Sequence, residues 1–115
     1  MTLGQKQELF SRLIVKLMQF AFDNGYEIRC GDFFRDERVH GEPGTKKDGS
    51  YSHKDSTHKF KLAGDLNLFK DGKFLTDDKD HEPLGLYWES LHPLCRWGGR
   101  FNDGNHYSLE HEGIK

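Results

Sequence analysis

The stretch Lys61-Leu62-Ala63-Gly64-Asp65-Leu66-Asn67-Leu68-Phe69-Lys70-Asp71-Gly72-Lys73-Phe74-Leu75 decides the fold class of this 115-residue chain. Residues 62–69 alternate, with Leu62, Gly64, Leu66 and Leu68 on one side and Ala63, Asp65 and Asn67 on the other. That is the period-two pattern of a strand with one face buried. Asp71-Gly72 accepts the positive φ angles of a type I′ turn, so Phe74 and Leu75 return as an antiparallel partner.

Upstream, residues 2–24 read as a helix. Thr2 and Gln5 have capping-box spacing, and Leu9/Phe10, Leu13/Ile14, Leu17/Met18 and Phe20/Ala21 recur at helical intervals as one apolar stripe. Gly25 suits the stop, and Tyr26–Phe34 reads as a strand. From Asp36 to Thr57 the chain is polar and glycine-containing, a loop longer than compact domains ordinarily carry and placed directly before His58. Downstream, Leu84, Tyr87/Trp88 and Leu91 mark a second helix ending before Pro93, and 97–101 and 106–111 read as two short strands. The sum is one α+β domain over residues 1–115, a small antiparallel sheet with packed helices, carrying a flexible polar loop at about 36–57.

Composition narrows the function. With 17 basic and 19 acidic residues the net charge is -2, so the basic surplus that nucleic-acid binding requires is missing. No apolar run is long enough to insert in a membrane, and the N-terminus lacks the layout of a secretory signal. Apolar residues are only 34%, offset by nine Phe, four Tyr and two Trp with large buried areas. A bound metal would help stabilise so lean a core. Cys30 and Cys95, far apart and without CxxC spacing, read as buried free thiols.

Seven histidines stand at 40, 53, 58, 81, 92, 106 and 111. Two lie beside carboxylates on expected elements: His58 before Asp65, and His106 after Asp103. Asp65 in an apolar strand is costly unless hydrogen-bonded, paired or metal-bound. It is either a structural carboxylate accepting backbone N–H groups or a metal ligand alongside His58. Two His, one Asp and a further carboxylate form the set a catalytic zinc site uses, with three ligands and a general base. Scattered surface histidines are the competing reading. By strand alternation Glu110 shares the His106 face and is a rival base, whereas His111 points away. His53 is a rival ligand, and His40, His81 and His92 read as solvated. Trp97 is either a cleft wall or a core aromatic.

Ser56-Thr57-His58, Ala63 and Asp65 resemble the SxHxxGxAxD signature of the M15 peptidases, the zinc D,D-carboxypeptidase and L-alanyl-D-glutamate endopeptidase family. Asp103-Gly104-Asn105-His106-Tyr107 resembles that family's second motif, and Trp97-Gly98-Gly99 its WGG segment. Arg35, after Gly31 and an aromatic pair, is similar to the family's arginine, although Arg38 also stands nearby. Lys61 departs from the pattern, occupying the signature's glycine. The resemblance covers roughly residues 26–111 and implies the hedgehog/D,D-peptidase-like zinc peptidase fold. It further implies one Zn2+ per chain held by His58, Asp65 and His106, with Asp103 as general base and Arg35 polarising the scissile carbonyl. Ser56 would support the His58 loop, and Ser56 and Trp97 would border the substrate. The implied activity is hydrolysis of the stem peptide of bacterial peptidoglycan. An aspartate base favours the L-Ala–D-Glu endopeptidase branch over the D-alanyl-D-alanine carboxypeptidase branch. The small size resembles phage and prophage endolysins, which implies a monomer made in the host bacterial cytoplasm that acts on the wall in the periplasm. A non-catalytic zinc-stabilised binding module is the alternative on the same fold.

Overall fold

The computed structural model describes residues 1–34 and 57–115. The polar loop expected at 36–57, all but its last residue, therefore lies outside the described residues, as do Arg35, Arg38, His40, His53 and Ser56.

Helix α1 runs Leu3–Asp23. The Thr2 hydroxyl accepts from the Gln5 N–H at 3.1 Å while the Thr2 N–H donates to the Gln5 side chain at 2.8 Å, closing the capping box. Phe10, Leu13, Ile14, Leu17 and Ala21 are its buried residues, the stripe expected from the spacing. Strand β1 (Glu27–Cys30) follows, shorter than the 26–34 expected, because Gly31 and Asp32 leave regular pairing while still bonding Asp65: Gly31 N–H donates to Asp65 O at 2.7 Å and Asp65 N–H to Asp32 O at 2.9 Å.

A single 3₁₀ turn, Thr57–Phe60, leads into the long strand β2 (Ala63–Lys70), and Asp71-Gly72, both with positive φ, turns it into the two-residue strand β3 (Lys73–Phe74). A 3₁₀ turn at Asp78–His81 then enters helix α2 (Glu82–Leu91), which has Pro83 in its first turn. Strand β4 is Cys95–Trp97 and strand β5 is His106–Leu109. Here the expected boundaries need correction. Residues 98–101 form a 3₁₀ turn instead of a strand, and β5 stops before Glu110 and His111. A strand through Gly98-Gly99 would need space on both faces, whereas a Cβ on Gly98 would sit 2.0 Å from Asp103 O.

The sheet is antiparallel in the order β1-β2-β5-β4, with β3 also paired to β2. The C-terminal half of β2 pairs with β1 (Cys30↔Leu66, Glu27↔Phe69) and its N-terminal half with β5 (Asp65↔His106, Ala63↔Ser108). One sheet face joins both helices in the core, where Leu62, Leu66, Leu68, Tyr107 and Leu109 meet Leu17, Leu84 and Trp88, all fully buried. The Trp88 Nε1–H is shared between the carbonyls of Arg96 and Ser108, at 3.1 and 3.0 Å. No helix among the described residues is long and apolar enough to cross a membrane.

Candidate metal centre

Three elements deliver three side chains to one point. The 3₁₀ turn brings His58, β2 brings Asp65, and β5 brings His106 directly across from Asp65. His58 and His106 are buried, and the Asp65 side chain is 14% exposed. His58 Nε2 lies 3.0 Å from Asp65 Oδ1, His106 Nδ1 lies 3.2 Å from His58 Nε2, and His106 Nδ1 lies 3.5 Å from Asp65 Oδ1. His58, Asp65 and His106 thus form a buried group that could hold a metal ion, and they are the only such group among the described residues. A tetrahedral ion with bonds of ~2.0–2.1 Å to nitrogen and oxygen sets its ligands about 3.3 Å apart, which the three observed distances bracket.

The hydrogen bonds behind His106 select its tautomer. Its Nε2–H donates to the Lys115 carbonyl at 2.8 Å, so the neutral ring carries a lone pair on Nδ1, the atom facing His58 and Asp65. The same carbonyl accepts from Ser108 Oγ at 2.5 Å and Thr57 Oγ1 at 3.2 Å. The chain returns Lys115 to this place through a turn at Glu112-Gly113, both at positive φ, flanked by a His111–Ile114 bridge. Burial alone would raise the Asp65 pKa, but the hydrogen bonds and positive potential of His106 and His58 outweigh it and hold the group at about 2. Asp65 is therefore an anion between two imidazoles at neutral pH.

Asp103 stands at the rim, half exposed, with Oδ2 3.9 Å from His106 Nδ1. The loop holding it is tight: Asp103 N–H donates to Gly98 O at 2.8 Å and His106 N–H to Asp103 O at 3.0 Å, with Asn102 left-handed between. A Cβ at Gly98 would also lie 2.6 Å from His106 Cβ, so glycine is required where this loop crosses the ligand. Trp97 is buried and its Nε1–H donates to Gly104 O at 2.8 Å, which makes it the core aromatic of the two readings and the anchor of the loop.

Other residues fall elsewhere. Glu110 accepts from Arg96 Nε at 3.1 Å, and the metal-competent group does not include it. His111 packs on Phe60 and meets Lys6 Nζ at 3.1 Å. His92 is half-buried and accepts the Leu94 N–H, so it is not simply solvated. His81 is a clear correction: it is 3% exposed, with Nδ1 2.6 Å from the fully buried Tyr107 hydroxyl. Flanked by Asp80 and Glu82, it gives no sign of burial in the sequence. The expected buried thiols are also half right, since Cys95 is buried and Cys30 exposed. The Lys115 carbonyl and Thr57, whose Oγ1 lies 3.4 Å from His106 Nε2, were missed as partners of His106, because no local pattern links residue 106 to main chain nine positions on or to a side chain 49 positions back.

No protein-family model matches the chain, and no curated protein matches it.

Proposed function

We propose that the protein is a zinc metallopeptidase of the hedgehog/D,D-peptidase-like fold that hydrolyses the stem peptide of bacterial peptidoglycan, with the L-Ala–D-Glu bond favoured. The observation that carries the reading is the convergence of His58, Asp65 and His106 at 3.0–3.5 Å, with the lone pair of His106 Nδ1 directed inward. His58, Asp65 and His106 would hold the ion. Zinc, when bound, supplies a Lewis acid that makes water nucleophilic near neutral pH. Asp103, half exposed beside His106, takes the proton from attacking water and returns it to the leaving amine. Arg35, by the motif resemblance, would stabilise charge on the scissile carbonyl oxygen. The same resemblance supports a phage or prophage endolysin acting in host lysis. D-alanyl-D-alanine carboxypeptidase activity would use the same residues, and a zinc-stabilised binding module would use the ligands without Asp103.

The test is digestion of purified sacculi by zinc-loaded protein, read by mass spectrometry. New amino-terminal D-Glu on stem peptides is expected from wild type. Asp103→Asn should lose at least about a hundredfold in rate while keeping its zinc. Released D-Ala would assign the carboxypeptidase bond. Folded, zinc-loaded wild type without any product would leave the binding module.

A further inference from the structure

Beside Asp103 the sheet carries a cavity of about 350 Å³, walled by Asn67, Asp78, His81, Asn102, Asp103 and Asn105 with the β3 hairpin. Its hydrogen-bonding character follows from its buried partners. The Tyr107 hydroxyl is fully buried, and among the described residues its one hydrogen bond is to His81 Nδ1 at 2.6 Å. If Nδ1 were the donor, the phenol proton would have no acceptor among the described residues; the satisfied arrangement has Tyr107 O–H donating to Nδ1. The neutral His81 ring then carries its proton on Nε2, for which the described residues provide no acceptor. Burial, only partly opposed by Asp80 and Asp78, keeps the His81 pKa down at about 4, so the ring is neutral at pH 7.

The rest of the described wall joins Phe74 and Leu75 to uncharged amides and two aspartates. Asn105 Nδ2 donates to Asn67 Oδ1 at 3.2 Å, which leaves the Asn67 amide N–H groups and the Asn105 carbonyl oxygen available. Asp78 Oδ1 accepts the Gly104 N–H at 2.9 Å. No lysine or arginine is among the described residues that line the cavity, whereas two aspartates are. The wall thus offers both donors and acceptors to amide groups, and the only charged side chains a carboxylate would meet among the described lining residues are Asp78 and Asp103.

We infer that this cavity is a subsite for uncharged peptide main chain, in which His81 Nε2–H donates to a substrate carbonyl and positions it beside Asp103. It takes the acyl side of the scissile bond, the lactyl amide and L-Ala of a stem peptide, because the other side carries the free carboxylate of D-Glu. His81 is a positioning residue here, and Tyr107 acts through it by fixing the tautomer. The identity of the ligand rests on the peptidase reading; the amide-binding character of the cavity does not.

The experiment titrates zinc-loaded protein with N-acetylmuramoyl-L-alaninamide, followed by ¹⁵N NMR of the histidine rings and of the Asn67 and Asn105 amides, with digestion of sacculi run in parallel. Wild type should show Nε2 protonated and Nδ1 bare before addition, and the His81 and Asn67 signals should move on addition. His81→Leu should weaken binding about tenfold, the effect of one lost hydrogen bond. His81→Gln, which restores an N–H near the Nε2 position, should recover most of it, and melting curves of both variants establish that they fold. The free acid N-acetylmuramoyl-L-alanine should bind more weakly than the amide. An Nδ1-protonated ring, equal affinity in all three proteins, or tighter binding of the acid would overturn the inference, as would no binding at all. Probe binding without sacculus cleavage keeps the subsite and removes the peptidase reading; cleavage with unchanged probe affinity in His81→Leu does the reverse.

Discussion

On one face of β2, Leu66 and Leu68 are fully buried in a cluster with Leu17 and Trp88; on the other, Asp65 lies between two imidazoles and Asn67 bonds Asn105. The strand is the same, and the two faces are held by different forces. The apolar face needs only shape and exclusion of water. The polar face needs every group matched, since an unmatched buried polar atom costs more than a matched one contributes. The apolar face should therefore set how stable the molecule is, and the polar face the conditions under which it stays folded and what it binds.

The largest effect should come from the apolar face. Trp88→Ala empties the volume between α1, α2 and the sheet and leaves the Arg96 and Ser108 carbonyls without their shared donor. A loss of about 3–5 kcal/mol is expected from chemical denaturation, similar with and without zinc. A loss confined to the zinc-bound protein would break the comparison, because it would make the core part of the site.

The next effect is on pH. His81 has a folded pKa of about 4 against an ordinary 6.5, so protons bind the unfolded chain preferentially between those values. Its contribution is complete above pH ~6.5 and lost as pH falls towards 4, a total of about 3 kcal/mol. Asp65, held at about 2 against 3.8, gives up its share only below pH ~4. Denaturant midpoints of zinc-free protein at pH 7, 5 and 4 should fall in wild type and stay nearly level in His81→Leu. An unchanged slope in that variant would show that another group drives the acid loss.

The apolar face was the legible one. The stripe on α1, the alternation on β2 and the Asp-Gly turn are local patterns, and each element formed where they point. Asp65, His58 and His106 were also visible, since a carboxylate in an apolar strand calls for a partner. What stayed hidden depends on long-range closure. His81 is buried although its neighbours are acidic, because Tyr107, 26 positions away, gives it a partner. The 3₁₀ turn at 98–101 replaces a strand because Gly98 must pass under Asp103 and His106.

Lys115 offers a smaller and sharper test of the polar face. Its carbonyl receives Thr57, His106 and Ser108, so removing residues 114–115 should free the His106 ring to change tautomer. Zinc affinity by competition with a chelating dye should drop about tenfold to a hundredfold, as for other lost partners of a ligating histidine. Unchanged affinity would mean that the inward lone pair of Nδ1 does not depend on this carbonyl.

The smallest effect isolates the backbone that delivers His58. Leu62 N–H donates to Thr57 O at 3.1 Å and Lys61 N–H to His58 O at 3.3 Å, the paired bonds of a Schellman closure, with Lys61 at φ 60° in the left-handed position. The motif resemblance expects glycine there, and this conformation supplies a reason for it independent of substrate. Lys61 Nζ also lies 5.0 Å from the centre of the Phe34 ring, so replacing it removes a contact as well as a Cβ. Comparing Lys61→Gly with Lys61→Ala cancels that contact. Glycine should be the more stable by about 1 kcal/mol, the left-handed penalty of a Cβ less glycine's extra freedom in the unfolded chain. Zinc affinity should be equal in the two variants, because both close the same turn. If alanine matched glycine in stability, the strain would lie elsewhere, and the placement of His58 would rest on its side-chain partners in place of the turn.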